Sequence, residues 1–379
     1  MKHRKLVYFC DWLPPDFGAV GQYSVLFARD WMARGYDVVL AGLSSTVDSS
    51  VRVDAPNGSL EIIRLKAEKY DKGSLRERAL WTLRVNTKLI TRVWRHLREA
   101  DDILFTGSPP FLIHFLVPLN ILLRKRIIYR ITDFHPECIM AERGGGGLLL
   151  KALYRVTVFW RRHIHHFEAL GEDQRERLKD IGIPESRIEI KRDPSPVEIT
   201  SQTLPLERPD GYEGAVLLLY SGNWGVAHDT QTFIEAYRQH HKRGSGRVVL
   251  WLNALGAGAR TVEEALQADG LPYVRGKPVP LDELASLLVT PDAHLITLKD
   301  DFVGFVLPSK IYGCLASGKP LIYVGSRNSD VHLLAGEAEA RGVFYRNCPV
   351  AAVEALLTSL EELAGNGHAT RMCMEPDCD

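Results

Sequence analysis

Four short stretches combine residue types that can hold an anion or move a proton. Pro14-Pro15-Asp16-Phe17-Gly18-Ala19-Val20-Gly21 lies between an apolar run and an amphipathic one. Glycines at such a strand-to-helix turn let backbone N–H groups approach an anion at the positive end of the helix dipole, which makes Gly18 and Gly21 candidates. Ser221-Gly222-Asn223-Trp224-Gly225, then His228-Asp229, repeats that placement later in the chain. Pro308-Ser309 opens a helix in N1 and N-cap fashion, setting the amides of Lys310 and Ile311 and the Lys310 ammonium at its positive end. Asp133-Phe134-His135-Pro136-Glu137 offers carboxylates and an imidazole that can orient a hydroxyl or take its proton. Each stretch also has a plain structural reading: an ordinary glycine turn, helix punctuation with Gly318 as the stop, a histidine packed beside proline, carboxylates capping the next helix. The first loop is not G-x-G-x-x-G and no acidic residue follows in the ribose position, which disfavours a nicotinamide cofactor.

The elements that must position these residues alternate strand and helix, the pattern of parallel sheets covered on both faces. In the first half strands are expected near Lys5–Cys10, Asp37–Leu43, Glu61–Leu65, Ile103–Thr106, Arg126–Ile131, His166–Leu170 and Ile188–Lys191, with helices such as Gln22–Arg34 and Arg76–Arg98. The pattern restarts with strands near Val216–Tyr220, Val248–Leu252, Tyr273–Val274, His294–Leu298 and Leu321–Val324. Helices are expected near Thr230–His241, Val262–Ala268, Leu281–Leu288, Ser309–Ala316 and Pro349–Ala364. Between Lys191 and Glu213, prolines 194, 196, 205 and 209 mark a connection and a hinge.

A chain of 379 residues has room for two such domains, and 45% apolar with 25% charged residues excludes collagen-like, disordered and disulfide-scaffold classes. Basic and acidic residues both number 47, so bulk charge favours no nucleic-acid partner. Their distribution is uneven: 32 basic and 25 acidic residues in 1–200 against 15 and 22 in 201–379, a polarity that could orient the molecule on an anionic surface. Six cysteines without C-x-x-C spacing read as reduced thiols of a cytosolic protein, and no metal site is expected. The run Leu6 to Cys10 is too short for a signal-peptide core, and Phe111 to Leu123 is too short and too interrupted to span a bilayer. Two stretches lack acids: residues 80–98, with Arg84, Lys88, Arg92, Arg95 and Arg98 beside Trp81 and Trp94, and residues 143–167, with Lys151, Arg155, Arg161 and Arg162 beside Tyr154, Phe159 and Trp160. Basic, aromatic-flanked helices of this kind can lie on an anionic membrane, or can simply have one buried and one solvated face.

The run PSKIYGCLASGKPLIYVG (308–325) resembles the donor-binding helix of family 4 glycosyltransferases. SGNWGVAHD (221–229) is similar to their second-domain phosphate loop and LPPDFGAVGQ (13–22) to their first-domain glycine loop. YVRGKPVPLDELASLL (273–288) and GEDQRERLKDIGIPESRIEI (171–190) match in the same order, so the resemblance covers nearly all of 5–365. It implies the α/β GT-B fold, two Rossmann-like domains facing a central cleft. The divisions expected are an acceptor-binding domain at 1–192, a linker at 193–213, a nucleotide-sugar domain at 214–347, a helix at 348–365 that can pack back toward the first domain, and a flexible tail at 366–379.

The resemblance further implies retaining, metal-independent transfer from a nucleotide-diphosphate sugar, UDP-linked, to a cell-envelope polysaccharide or lipid-linked glycan at the cytoplasmic face of the membrane, with no cofactor. On that resemblance Gly222, Asn223, His228, Ser309, Lys310 and Ile311 surround the donor phosphates, and Gly18 and Gly21 approach them from the first domain. Val274, Arg275 and Gly313 fall in the nucleobase and ribose region, and His135, Asp133 and Lys310 are the catalytic candidates. Departures accompany the matches: the family's Glu-x7-Glu pair falls at Phe305 and Gly313, its basic pair at Asn223 and His228, and its first-domain histidine at Thr132. A nucleotide-sugar epimerase on the same fold and a non-catalytic binding subunit are the alternatives.

Overall fold

The computed structural model describes residues 3–16, 18–68 and 75–372, which divide into two compact units. The first comprises residues up to Asp193 together with Gly304–Val306; the second comprises Pro194–Val303 and the chain from Leu307 on.

In the first unit the order is β1 (Arg4–Trp12), α1 (Ala19–Ala33), β2 (Tyr36–Ser44), β3 (Ser49–Ala55), β4 (Gly58–Lys66), α2 (Leu75–Arg92), α3 (Trp94–Glu99), β5 (Asp102–Thr106), α4 (Ile113–Leu123), β6 (Arg126–Ile131), α5 (Glu137–Glu142), α6 (Leu148–Arg161), β7 (His166–Ala169), α7 (Glu172–Asp180) and β8 (Ile188–Ile190). The sheet runs β3-β4-β2-β1-β5-β6-β7-β8, parallel except for the β3–β4 hairpin. Along β1, Val7 and Phe9 enter one hydrophobic cluster while Leu6, Tyr8 and Cys10 enter another. That period of two with both faces buried is why a continuous apolar run forms a central strand.

The second unit continues with β9 (Val216–Asn223), α8 (Gln231–Arg243), β10 (Val248–Leu255), α9 (Ala257–Ala268), β11 (Tyr273–Arg275), α10 (Leu284–Val289), β12 (Ala293–Thr297), α11 (Lys310–Ala316), β13 (Leu321–Val324), α12 (Asp330–Glu339), β14 (Tyr345–Cys348) and α13 (Val353–Met372). Its all-parallel sheet has the order β11-β10-β9-β12-β13-β14. Val216, Leu218 and Tyr220 of β9 face one cluster, Leu217 and Leu219 the other. In both sheets the chain turns first to one side of a central strand and later to the other, and β1 and β9 are those strands. Ligands of open parallel sheets bind outside the carboxyl ends of strands at such switch points, where both glycine loops lie.

Several expectations need correction. The helix expected over Arg76–Arg98 is two helices divided at Val93. Strand β3, which pairs as a hairpin with the expected β4, and α4, α12 and β14 lie outside the expectations; Pro56-Asn57 at the hairpin turn was the available signal. No helix or strand lies between Ile190 and Val216, but that stretch is anchored to the second unit: the Leu206 amide donates to Thr290 Oγ1 (2.8 Å) and Arg208 pairs with Asp292 (3.0 Å). The last helix continues past Gly365 to Met372 instead of giving way to a tail, and residues 373–379 lie outside the described residues. Its Leu356, Leu360, Leu363 and Ala364 belong to the second unit's core, where it packs on α8.

Candidate functional site

In the second unit the site grows from the end of β9. Tyr220 is fully buried, and Trp224 stacks on one face of its ring at 3.6 Å and 9°. The Lys310 ammonium stands 3.5 Å from the same ring's centroid, necessarily over the opposite face, and His228 meets the ring edge at 6.2 Å and 88°. The Lys310 stem reaches the surface, but Nζ is buried and has no hydrogen-bond partner. Burial pushes its pKa down from 10.5 to about 7, against a small opposing effect of the neighbouring Cys314. A cation held on an aromatic face without a counter-charge is one that an approaching anion would stabilise.

The His228 ring is neutral, its pKa drawn down to about 3 by burial and then by the Lys310 charge. Its Nδ1–H donates to the Thr297 carbonyl, so Nε2 is left as an acceptor. His228 thus offers a lone pair for a hydroxyl, where the sequence had suggested a donor to phosphate. Gly222 has φ +101 and open space where a Cβ would stand, and Asn223 beside it is exposed.

Other residues of this half fall differently from expectation. Ser309 is the N-cap of α11 with no side-chain cap bond, and the Ile311 amide is consumed by the Pro308 carbonyl (3.1 Å), so Ile311 is no phosphate donor. The Asp229 carboxylate accepts from the Thr232 amide at the start of α8 (3.1 Å), the ordinary capping role. Gly313 is buried, with Leu288 Cδ1 2.9 Å from where a Cβ would stand, so this position of α11 is a packing contact with the leucine and carries no side chain toward a ribose. Val274 and Arg275 lie on the edge strand β11, where Arg275 donates to the Leu252 and Ala254 carbonyls (2.9 and 3.0 Å) and pairs with Glu263 (3.2 Å). Arg275 therefore braces the strand ends, and no ribose role is visible in its contacts.

In the first unit, Asp11 on β1, Ser108 after β5 and Asp133 after β6 gather at the carboxyl ends of three adjacent strands. Ser108 Oγ donates to Asp11 Oδ2 (2.6 Å), and the Asp133 carboxyl is raised to about 6 by burial and then by the Asp11 charge. Two carboxylates in one field cannot both ionise at ordinary cost, so Asp133 is poised to carry a proton near neutral pH. The Asp133 backbone bridges Val306, and Phe305, which occupies the family's first glutamate position, packs against Phe134 and under Arg177. His135 sits with its ring 5.9 Å from that of Phe111, and its carbonyl accepts from Arg161 (3.1 Å).

Glu137 is buried in an ion pair with Arg161, which removes Glu137 from acceptor orientation and Arg161 from any basic surface. Gly18 is the N-cap of α1 with extended backbone, whereas a Cβ on Gly21 would overlap the Trp12 carbonyl oxygen. Gly21 is therefore required for packing α1 onto β1, and only Gly18 stays open as an anion contact. Asp16 ties the same loop to β2 through Ser44 Oγ (3.0 Å) and the Ser45 amide (2.8 Å). Asp11, Tyr220 and Trp224 were missed in the sequence; the first ends an apolar strand with a charge, and the other two bracket Gly222.

No family model matches the chain. WcaI of Escherichia coli (strain K12), whose name assigns it to colanic acid biosynthesis as a glycosyl transferase, is 25% identical over 210 residues, 51% of this chain and 49% of that protein. The chain thus spans about half the length of that curated relative. WaaG, a glycosyltransferase involved in lipopolysaccharide biosynthesis, has TM-score 0.61 and 15% identity over 96% of this chain and 91% of its own. HepE from Anabaena, solved with UDP and glucose, has TM-score 0.58 and 12% identity over 97% and 94%. A UDP-N-acetylglucosamine 2-epimerase structure from Listeria monocytogenes has TM-score 0.57 and 11% identity over 97% and 89%. These likenesses establish two Rossmann-like units of the GT-B type.

Proposed function

With the GT-B fold as premise, we propose that the chain is a glycosyltransferase that moves a sugar from a nucleotide-diphosphate sugar, UDP-linked, to a glycan acceptor of a surface polysaccharide or lipid-linked glycan. The observation that carries this reading is the buried, unpartnered Lys310 ammonium on the Tyr220 face, beside a glycine with open space at a switch-point strand end. Negative charge grows on the leaving diphosphate as the glycosidic bond breaks, and a preorganised cation out of water acts most on that state. His228 Nε2 accepts a hydroxyl of the donor, and the Asp11–Asp133 pair orients the acceptor hydroxyl. The relative and WaaG are named as glycosyltransferases and HepE was solved with UDP and glucose, which supports the reading.

On this reading transfer proceeds with retention and without a metal, the Lys310 ammonium on the Tyr220 face meeting the charge of the leaving diphosphate. The acceptor is met at the inner membrane surface, to which the first unit attaches peripherally; no helix among the described residues is long and apolar enough to cross a membrane. Epimerisation is the second reading, favoured by the epimerase neighbour. Incubation with UDP- and GDP-sugars separates the two. Release of UDP with a sugar acceptor supports transfer, an epimerised donor supports the second reading, and neither product with any donor refutes both.

A further inference from the structure

Helix α6 carries apolar residues on two sides, of which Trp160 packs on the core of the first unit. At 100° per residue, Thr157 and Arg161 lie on one side, and both are fully buried. The opposite side carries Leu148, Leu149, Val156 and Phe159, which are 89, 85, 45 and 51% exposed. Lys151 and Arg155 flank this apolar arc along one edge, and both are exposed. No acidic residue occurs from Arg143 to Phe167, so nothing on the helix opposes an anionic partner. The helix is entered through Gly144-Gly145-Gly146-Gly147, where Gly144 and Gly145 have positive φ and no atom near the place of a Cβ.

A soluble helix turns its apolar side to the core, as α6 does through Trp160, so a second apolar arc left in solvent beside basic residues points to an outward partner. We infer that the exposed face of α6 is the element by which the first unit docks on an anionic lipid bilayer, with Leu148, Leu149 and Phe159 entering the headgroup–acyl boundary and Lys151 and Arg155 meeting lipid phosphates. The leucines supply buried apolar area and the basic edge supplies selectivity for anionic lipid, the two signals that reversible attachment needs. The inference deepens the membrane-surface part of the function proposed above and rests on it only for the acceptor's location, since the face would bind lipid whatever reaction the chain performs.

The test is flotation with vesicles of phosphatidylcholine alone and of phosphatidylcholine with about 30% phosphatidylglycerol. The full chain is expected to bind the anionic vesicles at least about tenfold more strongly, and to lose that margin at high salt. The triple variant Leu148→Ser, Leu149→Ser, Phe159→Ser should bind at least about tenfold more weakly with an unchanged melting temperature, since these side chains are exposed. Lys151→Glu with Arg155→Glu should remove the preference for anionic lipid. Equal binding by the chain and the triple variant, or equal binding to both vesicle types, overturns the inference. So does a dimer in sedimentation that the triple variant abolishes, because the face then belongs to a second copy. Thermal shift with UDP on the same samples keeps the two readings apart: UDP stabilisation without vesicle binding overturns the docking face alone, and vesicle binding without any nucleotide response overturns the proposed reaction alone.

Discussion

Replacing Lys310 with methionine is expected to stabilise the free protein while destroying donor binding. Holding the ammonium out of water lowers its pKa from 10.5 to about 7, which corresponds to about 5 kcal/mol of cost to the charged form. A bound diphosphate beside the ammonium on the Tyr220 face would offset that cost. Methionine fills the stem's volume without the charge. The sign follows from linkage. Below about pH 7 the lysine is charged folded and unfolded, so the full cost is present. Between about 7 and 10.5 the unfolded chain binds the extra proton, so wild-type stability rises with pH and the gap to the variant closes. Urea unfolding at pH 6 and at pH 10 measures both values, and isothermal titration with UDP measures the binding. In turnover the variant should lose on the order of 10²-fold or more, about 3 kcal/mol in the barrier. Lys319→Ala, after the helix-ending Gly318, should lose little. A Lys310→Met protein that is less stable than wild type at pH 6, or that binds UDP as tightly, refutes the phosphate assignment.

Gly21→Ala should cost several kcal/mol, about 3 or more, or prevent folding, because α1 would have to lift from the Trp12 carbonyl; a denaturation midpoint equal to wild type would refute the packing role. Asp133 binds a proton more readily folded than unfolded, so its contribution to stability falls as pH rises from 3.8 to about 6. Asp11→Asn should remove on the order of 1 kcal/mol of that slope and move the acid limb of the pH–rate profile downward, with the remainder due to burial left in place. Activity should survive EDTA; loss that Mg²⁺ or Mn²⁺ restores would overturn metal-independent transfer. Arg161→Met, which leaves the buried Glu137 carboxylate unpaired, should destabilise by about 3–5 kcal/mol in thermal or urea unfolding.

Local chemistry alone determined the doubled strand–loop–helix plan of this protein. Continuous apolar runs such as Leu6–Cys10 and Val216–Tyr220 can only be central strands buried on both faces, and glycines placed after them mark the switch points. The start of α11 after Pro308-Ser309 and its stop at Gly318 (φ +67) were equally legible, because the fixed φ of proline and the left-handed freedom of glycine act within a few residues, although Ser309 makes no side-chain cap bond. Short edge elements such as β3 and β14 were not, since half-exposed strands exist through pairing with a neighbour that local pattern does not name.

Tertiary structure decided which polar residues are free to act. Glu137 and Arg161 look like site and surface residues in the sequence, yet they neutralise each other inside the first unit across 24 positions of chain. Gly21 looks like a ligand contact, yet it is a glycine because the Trp12 carbonyl occupies the space of its Cβ. Lys310 becomes a buried unpaired cation only because Tyr220, ninety residues earlier, lies under it with Trp224 stacked behind. A residue type and its spacing fix what chemistry is available, but desolvation and pairing are set by groups distant in sequence, and these determine whether a charge is a tether or a tool.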